Sequence, residues 1–104
     1  MFFLMRCDHH PGMEATRDRL RPAHRDWNRS GAEGRVSVIH GSALWDDASV
    51  AIGHWGLIEA PSAEEARRYI DGDPFVTGGV VAAITLTRLA DSFAADRISP
   101  RLTV

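Results

Sequence analysis

The chain has 104 residues, with 14 acidic and 12 basic side chains and a formal net charge of -2 at neutral pH. This length suits one domain with a modest core, and the charge balance predicts neither a nucleic-acid partner nor a membrane partner. The single cysteine, Cys7, excludes an internal disulfide and is typical of a reducing compartment, so we expect a cytoplasmic protein.

The first half of the chain predicts three strands and one helix. The run FFLMRC, followed by the turn formers DHHPG, indicates a first strand. We expect a helix to begin at Pro22, because proline suits the first helical position, and to end near Gly34 in a left-handed cap. The alternating segments RVSVIHGSALW and VAIGHWGLIEA, joined by DDAS, predict a hairpin.

The second half predicts one more helix and one more strand. Ser62 and Glu65 form a capping box ahead of a helix that ends near Gly72. The β-branched residues of GGVVAAITLTRLA indicate a fourth strand, and the end of the chain, DSFAADRISPRLTV, has no clear period. We therefore expect one domain over residues 1–92 and a C-terminal tail over residues 93–104.

The order βαββαβ predicts a ferredoxin-like α+β fold, with a four-stranded antiparallel sheet and both helices on one face. Right-handed crossovers would then bring the start of the first helix and the end of the second helix to one edge of the sheet. Because every strand carries apolar residues on both faces, we expect a second copy to cover the open face. The predicted assembly is a homodimer formed by sheet-to-sheet packing.

One histidine and one aspartate are expected at that edge. In a helix that begins at Pro22, His24 would lie in the first turn, where free amides favour the neutral imidazole. Such a histidine can act as a base or simply contact solvent. Asp73 precedes Pro74 and can cap a short helical turn, or its carboxylate can accept a hydrogen bond from His24 and fix the tautomer of the ring.

These residues carry a resemblance to a known family. The succession of RPAHRDWN, a strand hairpin and ARRYIDGDPFVTGGVVAAITL resembles the YCII-related (YciI-like) domain from about Phe3 to Leu89. The resemblance implies a dimeric α/β barrel of ferredoxin-like subunits and a His–Asp pair, which falls on His24 and Asp73. One activity known in the family removes HCl from a chlorinated hydroxyhydroquinone, and muconolactone isomerases and small monooxygenases share the fold.

Four further residues are predicted to bind substrate. Phe75 would provide an apolar wall, Gly41 would allow close approach of the backbone, and Ser42 would supply a hydroxyl donor. Arg6, near the end of the first strand, would either neutralise an anionic substrate or pair with a nearby acid.

The other four histidines are expected to have structural roles. The run Cys7-Asp8-His9-His10 reads as a polar turn, so we predict no metal site, although one of these two histidines can border the pocket. His40 and His54 alternate with apolar residues on the hairpin and are interpreted as interface or core histidines.

The sequence thus predicts a small enzyme that needs no cofactor, in which His24 acts as general acid or base and Asp73 orients its ring. The substrate would be a small polar cyclic or phenolic molecule that undergoes elimination or isomerisation. The alternative is a non-catalytic dimeric module that binds a small molecule in the same cleft. A third interpretation is a haem- or oxygen-handling relative of the monooxygenases.

Overall fold

The structure is a computed structural model that describes residues 1–103; Val104, the last residue of the predicted tail, lies outside the described residues. The elements in chain order are β1 (Phe2–His9), α1 (Glu14–Gly34), β2 (Ser37–Trp45), β3 (Ala51–Glu59), α2 (Ala63–Asp71), α3 (Pro74–Thr77) and β4 (Val81–Arg88). Within residues 1–103 no helix is both long enough and apolar enough to cross a bilayer.

The four strands form one antiparallel sheet in the order β2-β3-β1-β4. This order confirms the predicted ferredoxin-like α+β fold. Phe3 and Met5 of β1 point into a core that also contains Tyr69 and Ile70 of α2. Leu4, between them, is exposed on the opposite face, so the helices cover one face of the sheet and leave the other open.

Helix α1 starts well before Pro22. It runs from Glu14, so the prediction that the helix begins at Pro22 is wrong. Pro22 is exposed, and water can therefore reach the carbonyl of Asp18, which the missing proline amide leaves unpaired. His24 lies about three turns into the helix rather than in its first turn, so it is not next to the free amides at the helix start.

The end of α1 is a short stretch of left-handed backbone. Gly31, Ala32 and Glu33 have φ angles of 60°, 55° and 61°, and Gly34 has a φ of 91°. Ala32 is fully packed in the core, which offsets the cost of its backbone conformation. Gly34 takes the predicted left-handed conformation, but the left-handed backbone begins three residues earlier, at Gly31.

Both short helices begin at their predicted capping residues. The Oγ atom of Ser62 accepts a hydrogen bond from the amide of Glu65 at 3.1 Å, and α2 ends one residue before Gly72. The Oδ1 atom of Asp73 accepts from the amide of Phe75 at 2.9 Å, which starts α3. Helix α3 packs against α1 and so brings Asp73 towards His24.

The tail after β4 reaches the opposite edge of the sheet. Phe93 packs edge-on against Phe2, with ring centroids 5.5 Å apart. Further along, the amide of Leu102 donates to the carbonyl of Ile39 in β2 at 3.3 Å. A segment without periodicity is therefore ordered by contacts with the sheet edge, and these contacts bring Leu102 to the cavity described next.

Candidate active site

A cavity of about 420 Å³ lies between α1, α3 and the strands β2 and β3. This volume is in the range that accommodates a small organic molecule. Its wall includes His24, together with three of the four residues predicted to bind substrate, Gly41, Ser42 and Phe75. Arg6 is not part of this wall: its Nε atom donates to Asp8 at 2.9 Å on the open face of the sheet.

His24 and Asp73 are in direct contact. The Nδ1 atom of His24 lies 2.7 Å from Oδ1 and 2.9 Å from Oδ2 of Asp73, whose residue surface is only 2% exposed. Because a carboxylate only accepts hydrogen bonds, Nδ1 carries the proton and donates it. The same carboxylate caps α3 through Phe75, so the two roles considered for Asp73 occur together.

The second ring nitrogen of His24 is held by a half-buried amide, that of Asn28. The Nδ2 atom of Asn28 lies 3.1 Å from Nε2 of His24, and the hydroxyl of Tyr69 donates to Oδ1 of Asn28 at 2.5 Å. Burial raises the pKa of Tyr69, so its phenol remains protonated and keeps the amide oriented. The amide therefore donates to Nε2, and His24 is kept as the Nδ1–H tautomer with an unprotonated Nε2.

A second histidine pair lies beside Asp73. His54 Nε2 is 3.6 Å from Oδ2 of Asp73, and His54 Nδ1 is 2.8 Å from Nε2 of His9. At the far end, Arg17 Nη1 lies 3.4 Å from Nδ1 of His9. A guanidinium only donates, so one consistent set of tautomers has His9 donating to His54 and the Nε2–H of His54 directed at Asp73.

Both of these histidines are neutral near pH 7. Burial, and then the charge of Arg17, lowers the pKa of His9 to about 4. Burial, and then the neighbouring His24, lowers the pKa of His54 to about 4. The buried cluster therefore contains one cation, Arg17, and one carboxylate, Asp73, connected through neutral rings.

The sequence profile of the YCII-related domain matches residues 1–90. The chain is a member of the YCII-related domain family. No curated protein matches it.

Solved structures that share the fold of this YCII-related chain include a dehydrochlorinase and a domain of the MgtC protein. The 5-chloro-2-hydroxyhydroquinone dehydrochlorinase TftG from Burkholderia phenoliruptrix AC1100, in complex with 2,5-dihydroxybenzoquinone, is 23% identical, with a TM-score of 0.75 over 86% of this chain and 94% of that chain. The C-terminal domain of the MgtC protein from Mycobacterium tuberculosis is 12% identical, with a TM-score of 0.54 over 89% of this chain and 92% of that chain. Both similarities establish the architecture.

His24, His54 and Asp73 also offer three atoms of the kinds that bind metals, all within 4.8 Å of one another. However, His24 Nδ1 and Asp73 Oδ1 are only 2.7 Å apart. Two ligand atoms on one tetrahedral zinc ion stand about 3.3 Å apart, given bonds of about 2.0 Å. The described side chains are therefore spaced for a hydrogen bond, and a shared ion would require them to separate.

Several site residues of this YCII-related chain are not predicted by its sequence. Asn28 follows His24 by one helical turn, and that spacing is a signal that could have identified it. His54 is buried, as a core histidine would be, yet it contacts the site. Arg17 lies upstream of Pro22, in a segment that the expected helix start leaves out, so its position in the cavity wall is not predicted.

Proposed function

We propose that this protein is a small YCII-type enzyme that uses His24 and Asp73 for acid–base chemistry on a small polar cyclic or phenolic molecule, without a cofactor. The observation that carries this proposal is that Asp73 and Asn28 contact the two ring nitrogens of His24 at the wall of a cavity. A histidine with an unprotonated, positioned Nε2 is suited to accept a proton.

In the proposed reaction, Nε2 of His24 accepts a proton from a carbon or hydroxyl of the substrate, which displaces the Asn28 amide from that nitrogen. The electron pair left behind forms a new double bond. In an elimination the leaving group departs with its bonding pair, and in an isomerisation His24 returns the proton to another carbon. Asp73 stabilises the imidazolium that forms in between, through the hydrogen bond at Nδ1.

The likeness to TftG supports the choice of reaction class. That protein is a dehydrochlorinase, and its structure contains 2,5-dihydroxybenzoquinone, a single ring that carries oxygen substituents. A cavity of about 420 Å³ is large enough for such a ring. We propose that the substrate here is likewise a one-ring compound, converted in the cytoplasm, where the free thiol of Cys7 stays reduced.

We also propose that the protein works as a homodimer in which two sheets pack face to face. Leu4 is 38% exposed on the open face, where the strand register brings it next to Leu57 of β3. Arg6 pairs in the same way with Trp55. A Leu57→Glu variant should elute as a monomer in size-exclusion chromatography with light scattering; a wild-type monomer would contradict this part of the proposal.

The test of the chemistry is conversion of a panel of chlorinated and hydroxylated hydroquinones and enol-lactones, followed by NMR in deuterated water. We expect wild-type protein to catalyse elimination or solvent deuterium exchange, and His24→Gln to lose about 10²-fold to 10⁴-fold in rate. His10→Gln is the matched control, because His10 is an exposed histidine away from the cavity wall. Saturable binding without any turnover would instead favour a binding module.

A further inference from the structure

Arg17 is a buried cation in the cavity wall. The residue is only 7% exposed, and its Nε atom has no hydrogen-bond partner within the described residues. Its Nη1 atom makes two contacts, to Nδ1 of His9 and to the carbonyl of Ala51, both at 3.4 Å. Hydrogen bonds between N–H groups and oxygen are usually 2.7–3.2 Å long, so both contacts are weak.

A buried guanidinium is normally neutralised by a carboxylate, because removing the charge from water is costly. Over residues 1–103, no aspartate or glutamate lies within ion-pair distance of Arg17. The nearest ring, His9, is neutral near pH 7. The single 3.4 Å contact from Arg17 to Nδ1 of His9 is too weak to compensate for the cost of burying the guanidinium charge.

The other charged side chains of the cavity wall are also positive. Arg21 and Arg25 follow Arg17 at intervals of one helical turn and also line the cavity. No acidic residue among residues 1–103 lines it. The charge of Arg21 is offset by Asp18 at 2.7 Å, whereas Asp73 lies behind His24 and uses its oxygens there and at the amide of Phe75.

We propose that Arg17 binds an anionic oxygen group of the ligand, so that the cavity selects single-ring compounds that carry a carboxylate, phenolate or enolate. This inference names the substrate class for the proposed function and shares its cavity. The rings of His9, His54 and His24 follow one another with centroids 5.0 Å apart, so a ring anchored at Arg17 extends towards His24. Guanidinium groups bind carboxylates through two parallel hydrogen bonds and can donate to a single phenolate or enolate oxygen.

Benzoate and benzamide are matched probes, since they share a ring and nearly a shape but differ in charge. Each is titrated into wild-type protein near neutral pH, and the imidazole signals of His9 and His54 are followed by NMR. We expect saturable binding of benzoate with a dissociation constant at least about tenfold lower than that of benzamide. Arg17→Gln should remove this difference, and Arg17→Lys should retain part of it.

Arg19→Gln is the control variant, because Arg19 is exposed on the same helix and does not line the cavity. If Arg17→Gln does not fold, the test is whether Arg17→Lys has a smaller preference for benzoate over benzamide than wild-type protein has. Equal affinity for the two probes, no saturable binding of benzoate, or an unchanged preference in the Arg17 variants overturns the anion site. If wild-type protein prefers benzoate but catalyses no proton transfer, the anion site stands and only the proposed acid–base function is contradicted.

Discussion

The ring of Phe75 lies flat against the imidazole of His24, with ring centroids 3.9 Å apart and planes inclined by 8°. Phe75 is also the residue whose amide is capped by Asp73, so one short helix supplies both the carboxylate that orients His24 and the apolar surface that covers it. A ligand must therefore approach His24 from the ring edge or from the face that Phe75 does not cover. The unprotonated Nε2 lies on that ring edge.

Replacement of Asp73 by Asn should uncouple these two roles. The asparagine oxygen can still accept from the amide of Phe75, so we expect the free energy of unfolding to change by no more than about 1 kcal/mol. The amide nitrogen that replaces Oδ2 lies beside Nδ1 of His24 and can only donate, so the preference of His24 for the Nδ1–H tautomer should weaken. The proposed activity should then fall about 10³-fold. Long-range proton–nitrogen NMR spectra of the imidazole measure the tautomer.

The matched control is Asp71→Asn, because Asp71 is exposed and pairs with Arg67 at 3.0 Å. This variant should leave the His24 spectrum unchanged. An unchanged tautomer in Asp73→Asn would mean that Asp73 is a helix cap and does not orient His24.

The hydrogen bond between Tyr69 and Asn28 should contribute measurably to stability. Asn28→Ala leaves a buried phenol without its acceptor, so we expect a loss of about 1–3 kcal/mol in the free energy of unfolding. Tyr69→Phe should cost about 1 kcal/mol, and the double variant should cost less than the sum of the two. Urea unfolding of the four proteins gives the coupling energy, and strict additivity would show that the contact contributes nothing.

Stability should decrease in acid because of His9 and His54. In the unfolded chain both rings take up a proton near their ordinary pKa of 6.5, but in the folded protein their pKa values are lowered to about 4. Between these values the unfolded state binds more protons, so the free energy of unfolding falls as the pH drops from about 6.5 to 4. Above pH 6.5 both rings are neutral in both states and contribute no pH dependence.

Urea unfolding midpoints across this range measure the effect. His54→Gln should flatten the acid slope relative to wild type, whereas His10→Gln should leave it unchanged. Equal slopes in wild type and His54→Gln would exclude His54 as a cause of the acid sensitivity.

Two glycines at the end of α1 should respond differently to alanine. Both have left-handed backbone, but a Cβ at Gly31 would lie 2.0 Å from the carbonyl oxygen of Val36, whereas a Cβ at Gly34 would meet nothing within 4 Å. Gly34→Ala should therefore cost about 1 kcal/mol, from its backbone conformation alone. Gly31→Ala should cost clearly more, because the chain must also shift. Thermal unfolding compares the two, and equal losses would contradict this account.

The order of elements and the ferredoxin-like sheet follow from local patterns in this chain. Alternation along the four strands and the caps at Ser62 and Asp73 are properties of a few neighbouring residues, so the sequence reports them directly. The start of α1 is different. Proline is tolerated inside a helix when the carbonyl that it leaves unpaired faces water, and that depends on which side of the helix packs against the rest of the protein.

Local patterns in the chain, together with the family resemblance, are enough to predict the fold and to choose His24 and Asp73 as a pair. They do not predict that Asn28, oriented by Tyr69, contacts the other nitrogen of His24. Nor do they predict that Arg17 lies in the cavity wall while Arg6 pairs with Asp8. Periodicity reports which face of an element is buried, whereas a site is made by side chains distant in sequence, whose contacts exist only after the elements pack.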